Sequence, residues 1–442
     1  MVSGTVTSMP RGGASVPVTI DGLAVVTPPV DTSERPSLAR AGAVVAVAMG
    51  AGNVANYAFH VLMARRLGPS AYGSLGALLG LSLIVSVPAM ALQISIARHT
   101  ALLRAAGTDR TELWGGFFRV TVVLGLATAA TAAVASPLLV TFLHLDGTAA
   151  ALWMAASIAP LPAVAGMAGM LQGEERFVAM STVLLVPIAV KVVLALVLVG
   201  IGYGVSGALA AAAAGAAAGA GAGMVVVRPP VTGRFDPGVR SDLVKVLAAG
   251  LALFLLSNLD LLLARHYLGR RSSGLYAAGA LVAKVAFWGP QFVTAVVFPR
   301  LTDSAERRRL LGRALAVVAA CCIVGVVALA VAARPFLGSV FGSDYEGLGT
   351  TLWVFGALGT ALALVQVVMF SAISAGDARM ALAMWLTVVV EACLIVVFHR
   401  SIAQVAGVAL GSVAVLLVVG LAVEQRRDGG REPVEPWPAP VP

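Results

Sequence analysis

The chain has 442 residues, of which 59% are hydrophobic and 12% charged, with a formal net charge of +9 and a mean hydropathy of +0.94. That leaves far too little polar surface to cover a soluble globule, which excludes a soluble enzyme or binding module and places the chain in a bilayer. The basic residues are spread over short loops with no soluble domain to present them, so the positive charge does not indicate a nucleic-acid partner.

Residues 1–40 hold Pro, Gly, Ser and Thr without periodicity and read as a disordered tail; they lack the apolar core and small-residue cleavage site of a signal peptide. Apolar runs follow, each close to the ~20 residues a helix needs to cross a bilayer. They lie near 41–64, 72–97, 115–143, 149–171, 177–201, 203–227, 243–267, 274–299, 311–333, 348–373, 380–399 and 402–424, twelve in all. The first six form an N-lobe (41–227), the charged segment 228–242 links the lobes, the last six form a C-lobe (243–424), and 425–442 is a second disordered tail. Only Gly202-Tyr203-Gly204 divides the fifth span from the sixth. With the N-terminus inside, nineteen arginines fall on inside segments and seven on outside ones, so both termini are expected in the cytoplasm.

The second half repeats the first about two hundred residues on. Ala64-Arg65…Leu67-Gly68 recurs as Ala264-Arg265…Leu268-Gly269, Gly76-Ala77-Leu78 as Gly279-Ala280-Leu281, Met180 as Met380, and Val205 with Gly207 as Val405 with Gly407. Six spans per half is an even number, so the copies enter the membrane in the same direction, as parallel repeats about an axis along the membrane normal. Gly215, Gly219 and Gly223 give the sixth span a spacing that permits close helix approach. Pro88 and Pro290 interrupt the second span of each half at nearly equivalent depth.

On the repeat register Lys191 falls opposite Glu391 and His60 opposite Asp260. Lys191, Asp260, Lys284 and Glu391 all lie near the middle of their spans. An ionised side chain there costs about 2.5–3.5 kcal/mol or more unless it reaches water or a partner. One reading is a hydrated cavity that meets a charged substrate or a coupling ion. The other is pairwise neutralisation, Asp260 with Lys284 on consecutive spans and Lys191 or another donor with Glu391. Arg119, near the cytoplasmic end of the third span, can snorkel to the interface or join the cavity. Asn53, Asn56, Gln93, Asn258, Gln291 and Gln366 supply neutral polar groups suited to sugars.

Cys321, Cys322 and Cys393 sit in apolar runs and read as small hydrophobes, and the five histidines are scattered without metal-ligand spacing. No metal site and no cofactor are expected. Phosphate-binding loops and nucleophile elbows are missing, so the chain reads as a transporter rather than an enzyme.

The run from Asn53 to Gly73, the span ending in Ile96-Ala97-Arg98, the loop Leu171 to Phe177 and the segment Phe298-Pro299-Arg300-Leu301 resemble bacterial polysaccharide flippases. These belong to the multidrug/oligosaccharidyl-lipid/polysaccharide exporter superfamily, and the similarity covers roughly residues 41–424. The resemblance implies an all-α, multi-pass protein of the bacterial plasma membrane, with two six-helix lobes around a V-shaped cavity that opens alternately to either side. The implied cargo is a glycan on polyprenyl diphosphate. Lys284 with Arg265, and further Lys191 or Arg119, would hold the diphosphate, with Gln93 and Gln291 as cavity candidates. Asp260 and Glu391 would tune those cations or take a coupling H⁺ or Na⁺. Membrane lipids, a glycan polymerase and glycosyltransferases are the other implied partners. An ion-coupled multidrug antiporter of the same superfamily shares the two lobes and buried acids, but buried lysines repel cationic cargo. A membrane-embedded glycan polymerase or scaffold needs large extracytoplasmic loops, and the outside loops here are short.

Overall fold

Glycine and proline decide where the long apolar runs break. The computed structural model describes residues 17–20, 23–26, 35–233, 240–289, 307–374, 377 and 379–429. Helix α1 (Arg35–Val85) carries the first apolar run and much of the second, with a break at Gly68, whose φ of 70° suits glycine. Pro69 follows and keeps the residue before it out of the helical region. The first half continues through α2 (Val87–Ala105), α3 (Thr111–Val134), α4 (Ser136–Leu143), α5 (Thr148–Ile158), α6 (Leu161–Gly173), α7 (Phe177–Gly200) and α8 (Gly204–Val227). The second half holds α9 (Arg240–Leu256), α10 (Leu259–Tyr267), α11 (Arg270–Trp288) and α12 (Arg307–Val340). A 3₁₀ turn (Ser343–Leu348), α13 (Leu352–Ser374), α14 (Arg379–Val397) and α15 (Ile402–Gly429) complete it.

Ten segments among the described residues are long and apolar enough to cross a membrane. The first of them, Val47–Ala105, contains two expected spans on either side of Gly68, and α11 is the described part of the expected eighth. The twelve-span, all-helical reading therefore holds. Several spans are broken, however, where the sequence pattern suggested single helices. Prolines at the first or second positions of α2, α4 and α6 restart the helix within the second, third and fourth spans. The seventh span breaks without proline. There Ser257 Oγ and Asn258 Nδ2 both donate to the Phe254 carbonyl, at 3.0 and 2.9 Å, and compete with the backbone ladder.

The N-terminal segment departs from its reading as a wholly disordered tail. β1 (Pro17–Ile20) pairs antiparallel with β2 (Leu23–Val26), and α1 has begun by Arg35. Pro290, Gln291 and the run Phe298 to Leu301 lie outside the described residues.

The repeat is visible in the helix ends. Gly68 ends the first span of one half and Gly269 precedes α11 in the other; α7 and α8 start at Phe177 and Gly204, α14 and α15 at Arg379 and Ile402. Within the first half α7 packs on α8 and α1, and α2 on α6; within the second, α13 packs on α12, α11 and α15. One apolar cluster, containing Phe59, Tyr72, Tyr276 and Tyr345, spans both halves, whereas the other two stay within one half each. The halves meet mainly where α1 lies on α11, with α2 on α9 as a second contact. The first seam is lined by small residues: a Cβ placed on Gly73 falls 2.9 Å from the Gly274 nitrogen, and one on Gly76 falls 3.0 Å from the Ala277 Cβ.

The glycine stripe of α8 has a definite partner. A Cβ on Gly215 meets the Pro187 carbonyl oxygen at 2.4 Å and the Lys191 Cβ at 3.1 Å, and one on Gly219 meets the Pro187 ring at 2.3 Å. These glycines let α8 press against α7 around Pro187. Gly215→Leu is expected to destabilise the protein by about 1–3 kcal/mol through overpacking against rigid backbone. Thermal unfolding of the detergent-solubilised protein measures this, and an unchanged midpoint would remove the close approach from the packing argument.

Candidate functional site

A polar stripe on α1 forms one wall of a large cavity. Asn53, Asn56, Tyr57 and His60 follow the i, i+3, i+4, i+7 spacing of a single helical face, and all four line a space of about 540 Å³. The second part of α1 contributes Tyr72, Gly76 and Gly80, while α7 adds Pro187 and Lys191, and α11 adds Lys284 and Trp288. Residues at one end of this lining, Met49, Asn53 and Met90, are exposed, whereas His60 and Tyr72 lie close to the Gly68 break at the other. The cavity therefore extends from the seam toward the end of the molecule that holds Met49.

Lys191 is held in place by the first span. Its Nζ donates to Asn56 Oδ1 at 2.7 Å and stands 4.5 Å from the centroid of the Phe59 ring. Lys284 lines the large cavity and also a small adjoining pocket that contains Asp260 and Ser257. Across the seam, Tyr57 Oη donates to the Lys284 carbonyl at 3.2 Å. His60 Nδ1 and Tyr72 Oη are 3.3 Å apart. Lys191, Lys284 and His60 thus face one space, and no carboxylate is among its described lining residues.

The acids lie deeper, inside the second half. Asp260 occupies the first turn of α10, directly after the Ser257-Asn258 break, and is 3% exposed. Tyr276 Oη donates to its Oδ2 at 2.7 Å, while Oδ1 has no hydrogen-bond partner. Glu391 on α14 is 0% exposed and neither of its oxygens has a partner. It lies close enough to Asp260 for the two carboxyl groups to interact electrostatically. Each unmet buried acceptor costs about 1–3 kcal/mol. The acids thus form a cluster with Tyr276 in which three carboxyl oxygens remain unmet.

The remaining candidates are elsewhere. Arg265 was expected with the diphosphate but does not line the cavity: it is 3% exposed, with its guanidinium donating to Leu143, His144, Ser74 and Ser273 at the seam. Gln93 donates to Gln172 Oε1 at 3.4 Å, joining α2 to α6, and Arg119 is exposed on α3; neither lines the cavity. Gln291 lies outside the described residues. The pairing of Lys191 with Glu391 does not form, because Lys191 is engaged by Asn56 in the first half. No ion pair closes on Lys284 among the described residues, although it interacts electrostatically with Asp260.

Sequence reasoning did not single out Tyr57, Phe59, Tyr72 or Tyr276. The stripe containing Tyr57 was legible as a polar face on an apolar helix. Nothing in the spacing marked Tyr276 as the partner of Asp260, since that contact joins separate helices.

A family model described as a polysaccharide biosynthesis protein matches residues 62–349. No curated protein matches the chain. Among solved structures, the chain is similar to an inward-facing multidrug resistance MATE family transporter of the MOP superfamily. The TM-score is 0.71 at 14% identity, covering 86% of this chain and 94% of that one. An outward-facing conformation of a multidrug resistance MATE family transporter gives a TM-score of 0.59 at 13% identity over 87% and 93%. The lipid II flippase MurJ in an inward closed conformation gives 0.67 at 11% identity over 87% and 88%. At these identities the likeness is one of fold.

Tyr276→Phe removes the side-chain donor to Asp260 Oδ2. It is expected to destabilise the protein by about 1–3 kcal/mol, read as a lower thermal midpoint. An equal loss in an Asp260→Asn background would show that the tyrosine acts by packing instead.

Proposed function

Since the chain belongs to the polysaccharide biosynthesis protein family, we propose that it flips a polyprenyl-diphosphate-linked oligosaccharide across the plasma membrane for surface polysaccharide biosynthesis. The main support is the charge of the cavity, with two lysines on its walls and no carboxylate among its described lining residues. A diphosphate and its sugars cannot cross hydrocarbon unaided. A hydrated cationic path lowers that barrier while the lipid tail stays in the bilayer. Lys191 and Lys284, from opposite halves, meet the diphosphate, and Asn53, Asn56 and Tyr57 offer hydrogen bonds to the sugars.

With both termini cytoplasmic, the Met49 end of the cavity faces the cytoplasm, where such lipids are assembled. Asp260 and Glu391 bind a coupling H⁺ or Na⁺ or balance Lys284. Glycosyltransferases supply the substrate and a polymerase consumes the product, while this chain moves its cargo without chemical change. The buried acids also suit a drug/ion antiporter on the same fold, but lysines on the cavity wall oppose a cationic cargo.

Cells lacking the protein are expected to lose the surface glycan and to accumulate its lipid-linked precursor on the cytoplasmic face. A full glycan coat without accumulation would overturn the proposal, and efflux of drugs abolished by collapsing the ion gradient would favour the antiporter. Lys284→Ala should slow translocation about 10–100-fold, the worth of a hydrogen bond to a charged group, at near-normal protein level. Exchanging Asp260 and Lys284 should also abolish transport; preserved function would reduce the two to a structural pair.

A further inference from the structure

Arg65 and Arg265 hold matching places in the repeat, in Ala64-Arg65 and Ala264-Arg265, each a few residues before the glycine at the end of its span. Both reach across the seam. Arg265 Nε donates to the carbonyl of Leu143, the last residue of α4, at 2.8 Å, and its Nη2 to the carbonyl of His144 at 3.1 Å. Arg65 Nε donates to the carbonyl of Val340, the last residue of α12, at 2.7 Å, and its Nη2 to the carbonyl of Ser339. Since α4 closes the third span of the first half and α12 the third span of the second, the two contacts exchange under the repeat.

The chemistry of these contacts is specific. The last carbonyls of a helix have no intrahelical donor and carry the negative end of its dipole. A guanidinium presents its N–H groups as a rigid fork, so it can satisfy two adjacent terminal carbonyls together, which an ammonium cannot do with the same geometry. Here the carbonyls belong to the opposite half, so each fork forms only while the two halves are in contact.

We infer that Arg65 and Arg265 are paired latches that clamp the two halves together at the closed end of the cavity, and that this end opens by their release. The inference concerns the gate and is independent of the cargo. Other contacts brace the same end: Tyr345 Oη donates to the Ala64 carbonyl at 3.0 Å, and His266 Nδ1 donates to the Phe142 carbonyl at 2.8 Å. Arg270 and Asp146 form an ion pair at 2.7 Å across the seam, but both are exposed and such a pair holds little. The latches are unequal. Arg265 is buried and also donates to Ser74 Oγ at 2.8 Å and Ser273 Oγ at 2.9 Å, whereas Arg65 is exposed. Arg65 therefore releases first, and Arg265 governs the final opening.

Spin labels at Thr148→Cys and Ser343→Cys, exposed positions on opposite halves at this end, report the opening in full-length protein held in lipid nanodiscs. Cys321, Cys322 and Cys393 are replaced by alanine in this background. The parent should give one short interlabel distance by double electron–electron resonance. In Arg265→Ala a longer-distance population should grow about tenfold, the factor expected for one lost charged hydrogen bond. It should grow less in Arg65→Ala and dominate in the double variant. Arg265→Lys, which keeps the charge and loses the fork, should resemble Arg265→Ala. Parent-like distances in monodisperse Arg65→Ala and Arg265→Lys proteins overturn the inference, and these two variants decide it if Arg265→Ala does not fold.

Discussion

A charged group inside a bilayer must reach water, a partner or a terminal dipole, and most of this structure is a set of answers to that demand. Lys191 and Lys284 reach the cavity, and Asn56 with the Phe59 ring supplies Lys191 with a fixed position there. Asp260 reaches Tyr276 and the first turn of a helix that begins within the seventh span. Arg265 reaches helix-terminal carbonyls and two serine hydroxyls. Glu391 is the exception, buried with both oxygens unmet beside a second acid. A site that tolerates that cost suits a group whose charge changes during a transport cycle, which is why the acids belong with coupling and the lysines with cargo in our reading.

The backbone faces the same demand, because hydrocarbon offers no donors or acceptors. Two of the breaks lie where protein or cavity surrounds them. The Ser257-Asn258 break adjoins the small pocket shared by Asp260 and Lys284, and side-chain groups of both residues occupy the carbonyl of Phe254 there. The Gly68 break stands at the seam, where Pro69 comes so near Gly274 that a Cβ on the latter would overlap its carbonyl. Irregular backbone thus stands at the seam between the halves and beside the pocket that Asp260 and Lys284 share.

Much of the scaffold was legible in the sequence. Hydropathy alone located the spans, and short matches such as Leu67-Gly68 with Leu268-Gly269 located the repeat, because both depend on local composition. Lys191 and Lys284 were recognisable as cavity residues for a similar reason, since a lysine amid apolar residues has few alternatives. Arg265 stands apart from the cavity because its partners include the end of α4, more than a hundred positions away in sequence and next to it in space. Gln93 stands apart likewise: a polar residue in an apolar span has many places to go, and here it bonds Gln172 inside one half.

Duplication explains why the molecule is symmetric in its joints and asymmetric in its chemistry. A parallel repeat gives both halves the same span order, so an arginine before the first break of each half meets the third span of the other, and one ancestral contact becomes two. Joints of that kind remain useful as long as the halves must separate and return together. The interior is under no such requirement. His60 and Asp260 stand at matching positions, yet one lines the cavity with Lys191 and Lys284 and the other joins an acidic cluster, each next to a tyrosine from the following span. In our reading the shared joints fix the motion, and the unlike interiors let it act on a cargo with one charged end.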